Sequence, residues 1–319
     1  MMITALLIAI VSALALTLYY DYRYRRHWTG HTFGYPLRGF EGKLFFTFDD
    51  GPACFGKVLK GENDTQPISD PVVRETVLRE IPDYDFSKTA TENLLDLLKK
   101  HDAKAIFFLW GNSIEACPVA EAVIRRMVAE GHWVGNHSFS HGYARKNPLS
   151  EILADVARNH DLIASLSGRA ASLFRPPYGD WEPDFSKRFL SHPTLKGYAF
   201  PIFWTSLFRE WALKSAGELG ELDERLVGFR KSCKDGQGKI LLLHDTYIPA
   251  ILLTAKLLKE CERMEYAIGE PAALAEAAAK ETELYRRMPF VYYLKNLKER
   301  ALLKLTLRDN AHTNYRMEQ

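Results

Sequence analysis

Short runs of residues with strand-like patterns alternate with longer helical patterns along most of this chain. The predicted strands occupy residues 43–48, 105–110, 132–134, 199–205 and 239–243, with one more ending at residue 175. Strand-length and helix-length segments in regular alternation are typical of a sheet or barrel wrapped by helices. The chain is therefore predicted to have an α/β fold.

Helical patterns fill the intervals between these strands. The predicted helices occupy residues 91–101, 119–130, 149–166, 216–233 and 248–264. Before the first of them, Thr89 and Glu92 have the spacing of a capping box, in which each side chain bonds the other residue's backbone N–H. In a barrel of parallel strands the loops at the carboxyl ends meet at one mouth, so residues distant in sequence can form one site.

Residues 53–88 interrupt the alternation, because Gly, Asn, Asp and Pro are scattered through them. We interpret this stretch as an insertion with one short helix near residues 71–80. A surface excursion is the usual fate of such a segment, and a lid or a wall of a substrate groove is the alternative. A linker at 23–41 precedes the main domain, which is predicted to span 42–279.

The segment 3–20 is almost wholly apolar and uncharged. Its length is about that of a helix that crosses the hydrocarbon core of a bilayer. We therefore predict a transmembrane anchor over residues 1–22. Cleavage after the signal-peptidase-like Ala13-Leu14-Ala15 is the alternative, although a charged region before the apolar run is missing.

Basic residues follow the apolar segment at once, at Arg23, Arg25 and Arg26, and none precedes it. Positive residues flanking a membrane span favour the cytoplasmic side. The prediction is a single-pass membrane protein with its main domain on the cytoplasmic face, while the extracytoplasmic face stays open as the alternative.

The last segment, residues 280–319, is predicted to contain an amphipathic basic helix. Apolar residues such as Phe290 and Leu294 alternate there with cations such as Lys295 and Lys298. Packing against the main domain is the ordinary role of such a helix, and lying on an anionic membrane surface is the alternative.

Composition narrows the classes of function. Of the 319 residues 47% are hydrophobic, enough for a large core, and the net charge of +2 does not predict a nucleic-acid partner. The four cysteines lie far apart without a CxxC pair, so they do not build a metal site. Free buried thiols are expected, with two disulfides as the alternative.

Two groups of metal-binding residue types occur near predicted strand ends. Asp49 and Asp50 end the first strand, and His137 and His141 follow the third. Histidines four apart lie on one face of a helical turn and can bind one cation, and a carboxylate would complete the set. Two histidines and one aspartate suit a catalytic divalent metal. Taken singly, the acids could be a turn or a cap, and the histidines a chance surface pair.

Two further groups are candidates for catalysis. Arg175 begins the run Arg-Pro-Pro-Tyr-Gly, in which the prolines stiffen a turn that would present the arginine and the backbone N–H of Tyr178 in fixed directions. His244 ends an apolar strand, where it is either a capped strand end or an acid at a barrel mouth.

Together these groups resemble the polysaccharide deacetylases of the NodB-homology type, carbohydrate esterase family 4. The family's motifs TFDDGP, H-S/T-x-x-H, RPPYG and L-x-H match residues 47–52, 137–141, 175–179 and 242–244 in order. A fourth motif, W-x-x-D-x-x-D-W, aligns with 204–211, where a leucine and a glutamate replace its acids. The resemblance implies a distorted (β/α) barrel.

The resemblance also implies roles for the residues of the first three motifs. Asp50, His137 and His141 would bind one divalent metal, most commonly Zn²⁺, with Co²⁺, Mn²⁺ or Ni²⁺ as alternatives. Asp49 would be the general base that takes a proton from water. Arg175 would orient Asp49.

The remaining motifs supply the rest of the implied site. His244 would protonate the departing amine, and an acid of the fourth motif, here Glu210, would pair with it. Because glutamate is one methylene longer than the usual aspartate, an altered pH optimum is expected. The Tyr178 backbone N–H would stabilise the oxyanion, and Trp211 and Leu242 would wall the pocket for the acyl methyl.

The predicted function is hydrolysis of the N-acetyl group of an N-acetylhexosamine unit in a polysaccharide or oligosaccharide, with release of acetate. One alternative is a membrane-associated deacetylase or deformylase of a lipid-linked amino sugar. A second is a catalytically weak saccharide-binding protein. The expected partners are a saccharide and, through the N-terminal helix, a membrane, with no nucleic acid.

Overall fold

The structure is a computed structural model that describes residues 37, 39–57, 66–181, 183–213 and 215–288. The predicted anchor, most of the predicted linker and the predicted tail helix beyond residue 288 lie outside these residues. Within the described part of the chain, none of the helices has the length and apolar character needed to span a bilayer.

Six parallel strands form one sheet. They are β1 Lys43–Asp49, β2 Ala105–Leu109, β3 Trp133–Asn136, β4 Ser206–Leu207, β5 Lys239–His244 and β6 Ala267–Ile268. The strand order is β3-β2-β1-β5-β4, and β6 pairs with the beginning of β1. Because every pair is parallel, all the carboxyl ends lie at one edge of the sheet. The predicted α/β class with parallel strands is confirmed.

Nine α-helices connect or cover these strands in the described ranges. They are α1 Pro71–Glu80, α2 Ala90–Lys100, α3 Gly111–Ala116, α4 Ala120–Ala129, α5 Leu149–Ser167, α6 Pro183–Ser191, α7 Glu221–Ser232, α8 Ile248–Met264 and α9 Pro271–Arg287. The predicted helix 248–264 has the same bounds as the observed α8. The predicted helix 216–233 is divided into a 3₁₀ turn and α7, while α3, α6 and α9 were not predicted as helices.

Side chains of β1 point alternately to two different cores. Leu44, Phe46 and Phe48 belong to the large cluster shared with the helices. Phe45 belongs to a smaller cluster among the strands, which residues of α9 complete. Since side chains alternate along a strand, Asp49 points to the same side as Phe45, toward the space that the strands surround.

Two predicted strands are wrong as regular strands. The segments 171–175 and 199–205 lack ladder pairing apart from single bridges, although individual hydrogen bonds continue the parallel arrangement past β3. The Arg175 N–H donates to Asn136 O (3.0 Å), and the Ile202 N–H donates to Phe174 O (2.8 Å). Prolines at 176, 177 and 201 have no N–H to donate, which prevents a regular ladder there.

The insertion has closely joined ends. Ala90 N–H donates to Cys54 O, and the Thr91 hydroxyl accepts from Ala53 N–H (2.8 Å). Lys57 N–H also donates to Thr246 O (2.8 Å). Residues 58–65 lie outside the description, and the short helix predicted at 71–80 is present as α1.

Two further expectations have outcomes in the structure. The cysteines are free thiols, as expected, and three of the four are buried. The position where the tail segment was predicted to begin, residue 280, lies within α9, which runs to Arg287. The Ala-rich sequence there continues into residues with good helix propensity, and Arg287 pairs with Glu283 one turn earlier.

The capping box of α2 provides a test of local stability. Thr89 Oγ1 accepts from Glu92 N–H (3.1 Å), and Glu92 Oε2 accepts from Thr89 N–H (2.9 Å). We expect Thr89→Ala to lower the free energy of unfolding by about 1 kcal/mol. Thr89→Ser should retain most of this stability, because serine keeps the hydroxyl. Urea denaturation of both variants checks the prediction, and equal losses in the two variants would contradict a stabilising role of the Thr89 hydroxyl.

Candidate active site

The carboxyl ends of β1 and β5 lie side by side and carry the first candidate residues. Asp49 and His244 are direct register partners in the parallel pair. The Asp49 side chain is buried, whereas Asp50 turns away with φ of 72°. The two adjacent acids therefore occupy different environments, since Asp49 is buried at the end of β1 and Asp50 is partly exposed at the carboxyl edge of the sheet.

Gly51 follows in a place without room for a side chain. A Cβ there would lie 2.1 Å from Asp245 Oδ2, so the buried Asp245 carboxylate packs directly on the glycine backbone. The same carboxylate accepts a hydrogen bond from the Thr91 hydroxyl (2.7 Å). Burial raises the pKa of Asp245 to about 7, although the Thr91 hydrogen bond opposes this. The backbone after Asp50 is thus confined by close packing.

Arg175 is fully buried and holds Asp49. Its Nη1 lies 2.7 Å from Asp49 Oδ1 and 2.8 Å from the Thr47 hydroxyl oxygen, and Nε donates to Ile202 O (3.0 Å). The guanidinium carbon lies 4.3 Å from the Phe108 ring centroid. A buried guanidinium with these partners fixes the Asp49 carboxylate in one orientation.

Asp50, His137 and His141 bring three metal-binding atoms together. Asp50 Oδ1 lies 3.4 Å from His137 Nε2 and 3.1 Å from His141 Nε2, and the two Nε2 atoms are 3.3 Å apart. Atoms at these separations can all lie about 2.1 Å from one point, the usual length of a zinc–nitrogen bond. Asp50 Oδ1 is buried with no hydrogen-bond partner, which a bound cation would explain. The three residues therefore fit a divalent metal.

The tautomer of His137 also suits metal binding. Its Nδ1 lies 2.7 Å from the backbone carbonyl of Arg175. A carbonyl can only accept, so Nδ1 carries the hydrogen and the Nε2 lone pair faces Asp50 and His141. Asp49 Oδ2 lies 3.7 Å from the same Nε2, which places Asp49 beside the three-residue cluster.

The expectation that a helical turn brings the two histidines together is wrong. Residues 137–141 form an irregular loop in which Ser138 has φ of 67° and His141 has φ of 60°. The Ser138 hydroxyl accepts from His141 N–H (3.0 Å). Two left-handed residues bend the chain back on itself, and this bend gives the Nε2 atoms their close approach.

His244 pairs with Glu210 across the mouth of the sheet. Its Nδ1 lies 2.7 Å from Oε1 of the fully buried Glu210. Burial alone would lower the pKa of His244, but the charge and hydrogen bond of Glu210, aided by Asp50 and Asp49, raise it to about 9. The longer glutamate side chain therefore reaches the imidazole, from a 3₁₀ turn that starts after Arg209 at φ of 54°.

The predicted pocket residues lie around these groups. The Trp211 ring is 4.6 Å from the His244 ring between centroids, and Leu242 is buried on β5, two residues before His244. Tyr178 has φ of 60°, and its half-exposed ring lies 4.6 Å from the His141 ring between centroids. All ten predicted site residues thus gather at the carboxyl edge of the sheet.

Several residues that shape the site were not predicted. Thr47 accepts from Arg175, and Asp245 packs on Gly51. The Tyr143 ring stacks on Tyr178 with centroids 3.9 Å apart. Asp155 binds the histidine loop from a distant helix. Thr47 lies inside a recognised motif and Asp245 directly follows one, which were usable signals, but nothing in the local sequence marks the other two.

Comparison with known proteins finds similarity to polysaccharide deacetylases. Residues 80–193 match the family model described as polysaccharide deacetylase. The peptidoglycan-N-acetylglucosamine deacetylase of Bacillus cereus is 42% identical over 180 residues, which cover 55% of this chain and 62% of that protein. The chain is therefore similar to polysaccharide deacetylases over these residues. It spans less than two-thirds of the length of the curated relatives it matches.

Solved structures show the same fold. Peptidoglycan deacetylase PdaC from Bacillus subtilis aligns with a TM-score of 0.51 at 23% identity, covering 78% of this chain and 98% of that structure. The chitin deacetylase of Colletotrichum lindemuthianum aligns with a TM-score of 0.54 at 21% identity, covering 75% and 89%. At such identities the likeness concerns the arrangement of strands and helices.

The Asp49–Arg175 pair gives a prediction about stability. Arg175→Met would leave the buried Asp49 carboxylate without its cation, so we expect a loss of about 3–5 kcal/mol in the free energy of unfolding. Adding Asp49→Asn should restore part of this loss, because a neutral amide needs no cation. Denaturant unfolding of both single variants and the double variant measures the coupling. Strictly additive losses would contradict a direct pair.

Proposed function

We propose that this protein is a metal-dependent hydrolase that removes the N-acetyl group from an amino sugar within a saccharide and releases acetate. The observation that carries the proposal is the placement of Asp49. Arg175 holds it beside the Asp50–His137–His141 cluster without making it part of that cluster. A base separate from the metal-binding groups is what hydrolysis of an unreactive amide requires.

A divalent metal, for which zinc is our first choice, would be held by Asp50, His137 and His141. When bound, it supplies Lewis acidity toward the amide carbonyl and lowers the pKa of water. The chain itself supplies the proton transfers. Asp49 accepts the proton of the attacking water, and its orientation is set by the hydrogen bond from Arg175 Nη1.

The second proton transfer belongs to His244. Glu210 at Nδ1 keeps the imidazole charged, so Nε2 can donate a proton to the nitrogen of the departing amine. Because β1 and β5 are adjacent, Asp49 and His244 stand at neighbouring strand ends. The Tyr178 N–H is proposed to stabilise the oxyanion, and Trp211 and Leu242 to enclose the acetyl methyl.

The names of the relatives favour a cell-wall polymer of N-acetylated sugars as the saccharide. A lipid-linked amino sugar is the second candidate, favoured by the apolar segment 3–20 and the basic residues near the end of the chain. We further propose a single-pass membrane protein. Arg23, Arg25 and Arg26 favour the cytoplasmic face, which suits the lipid-linked substrate, whereas a cell-wall polymer requires the extracytoplasmic face. Activity on a polyprenyl-linked sugar but not on soluble oligomers would select the second substrate.

The proposal is tested by comparing the two adjacent acids. Asp50→Ala should lose both metal and turnover, whereas Asp49→Ala should keep the metal and lose turnover. Zinc content by elemental analysis and acetate release from N-acetylglucosamine oligomers and from a polyprenyl-linked sugar measure the two properties. Wild-type protein that binds no divalent metal and releases no acetate would overturn the proposal. Loss of metal from Asp49→Ala alone would reverse the two roles.

The pH dependence tests the pairing of Glu210 with His244. An acid with a raised pKa of about 9 keeps its proton until the pH rises through that value, so the basic limb of the rate profile should fall near pH 9. Glu210→Gln removes the charge that raises this pKa, and the limb should move to lower pH. Glu210→Asp should give a smaller shift. An unchanged basic limb in both variants would exclude Glu210 from this role.

A further inference from the structure

The loop that carries both metal-binding histidines is conformationally unfavourable by itself. Ser138 and His141 are non-glycine residues at φ of 67° and 60°. Residues of this type occupy the left-handed region at a cost in free energy, and they stay there only where surrounding contacts hold them. The contacts that hold residues 137–141 therefore determine whether His137 and His141 face one another before a cation arrives.

Backbone hydrogen bonds join the loop to residues 109–112, and one carboxylate from α5 binds two of its remaining amides. Asp155 Oδ2 accepts from Phe139 N–H (2.9 Å) and from Ser140 N–H (3.2 Å), and its Oδ1 lies 3.1 Å from the same Ser140 nitrogen. Hydrogen bonds to an ionised carboxylate are stronger than those between neutral groups. Asp155 thus binds the two backbone amides that lie between Ser138 and His141.

A buried amide holds the beginning of the same loop. Asn136 Oδ1 accepts from Ser138 N–H (2.8 Å) and from Asn159 Nδ2 (2.9 Å), while Asn136 Nδ2 donates to Val156 O (2.9 Å). Asn159 and Val156 both belong to α5. Through Asn136, α5 therefore also holds the Ser138 end of the loop.

Phe139, in the middle of the loop, is confined on two sides. The Arg158 guanidinium of α5 lies 3.3 Å from the ring centroid. On another side, a Cβ on Gly111 would be 2.4 Å from Phe139 Cδ2, so the ring packs against the glycine backbone. Four residues of one helix, namely Asp155, Val156, Arg158 and Asn159, thus hold a five-residue loop.

We propose that Asp155 is a positioning residue for the metal: it holds the loop so that His137 and His141 are prearranged, and it thereby sets the affinity for the cation. The inference rests on the metal site of the proposed function. Asp155 itself touches neither the cation nor the substrate in this arrangement. A side chain that only stabilised the fold would change the melting temperature and leave metal affinity as it is.

The test measures zinc affinity by calorimetry on full-length protein stripped of metal. Asp155→Ala is expected to weaken zinc binding about 10- to 100-fold, the range found when groups that orient metal ligands are removed. Asp155→Asn keeps one acceptor oxygen, so its zinc affinity should fall less than that of Asp155→Ala. Asp161→Ala, which removes an exposed carboxylate from the same helix, is the matched control and should bind zinc as the wild type does.

Hydrogen exchange adds a second readout without metal. The amides of Phe139 and Ser140 should exchange faster in both Asp155 variants than in Asp161→Ala. If Asp155→Ala is too unstable to purify, Asp155→Asn carries the comparison. Wild-type zinc affinity in a folded Asp155 variant would overturn this inference and leave the proposed function standing. Wild-type protein that binds no zinc would instead overturn the metal site, and this inference with it.

Discussion

The buried Arg175 is the residue on which the rest of the site depends. Its guanidinium binds Asp49, and its backbone carbonyl accepts the Nδ1 hydrogen of His137. The side chain thus orients the proposed base, while the main chain selects the tautomer of a proposed metal ligand. A guanidinium buried to this extent needs a charged partner and several acceptors, and the surrounding segments supply them. Arg175 therefore helps to position both the proposed base and the proposed metal site.

The regular helices and strands of the fold could be predicted from local sequence. The conformation of the irregular segments beside the site could not. The capping box at Thr89 and the apolar pattern of 248–264 carry their own signals, and both elements formed as expected. The segments 171–175 and 199–205 have apolar residues typical of strands, but Pro176 directly after the first and Pro201 inside the second leave single hydrogen bonds in place of ladders. Their final position depends on contacts with Asn136 and Arg175, which no local pattern contains.

For the candidate site, too, the sequence predicted the residues but not their geometry. The motifs identified the chemical groups, because residue types and order are visible in the sequence. They did not show that His137 and His141 meet through left-handed residues, nor that Glu210 reaches His244. Both outcomes depend on backbone conformations far from helical or extended values, and a helix-based spacing rule cannot describe them. Tertiary contacts select those conformations, from α5 for the histidine loop and from Arg225 of α7 for the turn before Glu210.

Hydrogen bonds join the two ends of the insertion, so a change in its length need not move the residues of the site. Ala90 and Cys54 are hydrogen-bonded to each other, and the Thr91 hydroxyl joins Ala53 to the Asp245 carboxylate. Exposed residues between these points can be exchanged or extended while Asp49 and Asp50 keep their places, since lengthening a loop whose ends are already joined costs little entropy. Val73 and Val77 of α1 are the exception, because they are buried in the main core. The exposed part of this segment is thus where a new recognition surface can evolve, or be grafted by an engineer, with least disturbance to the chemistry.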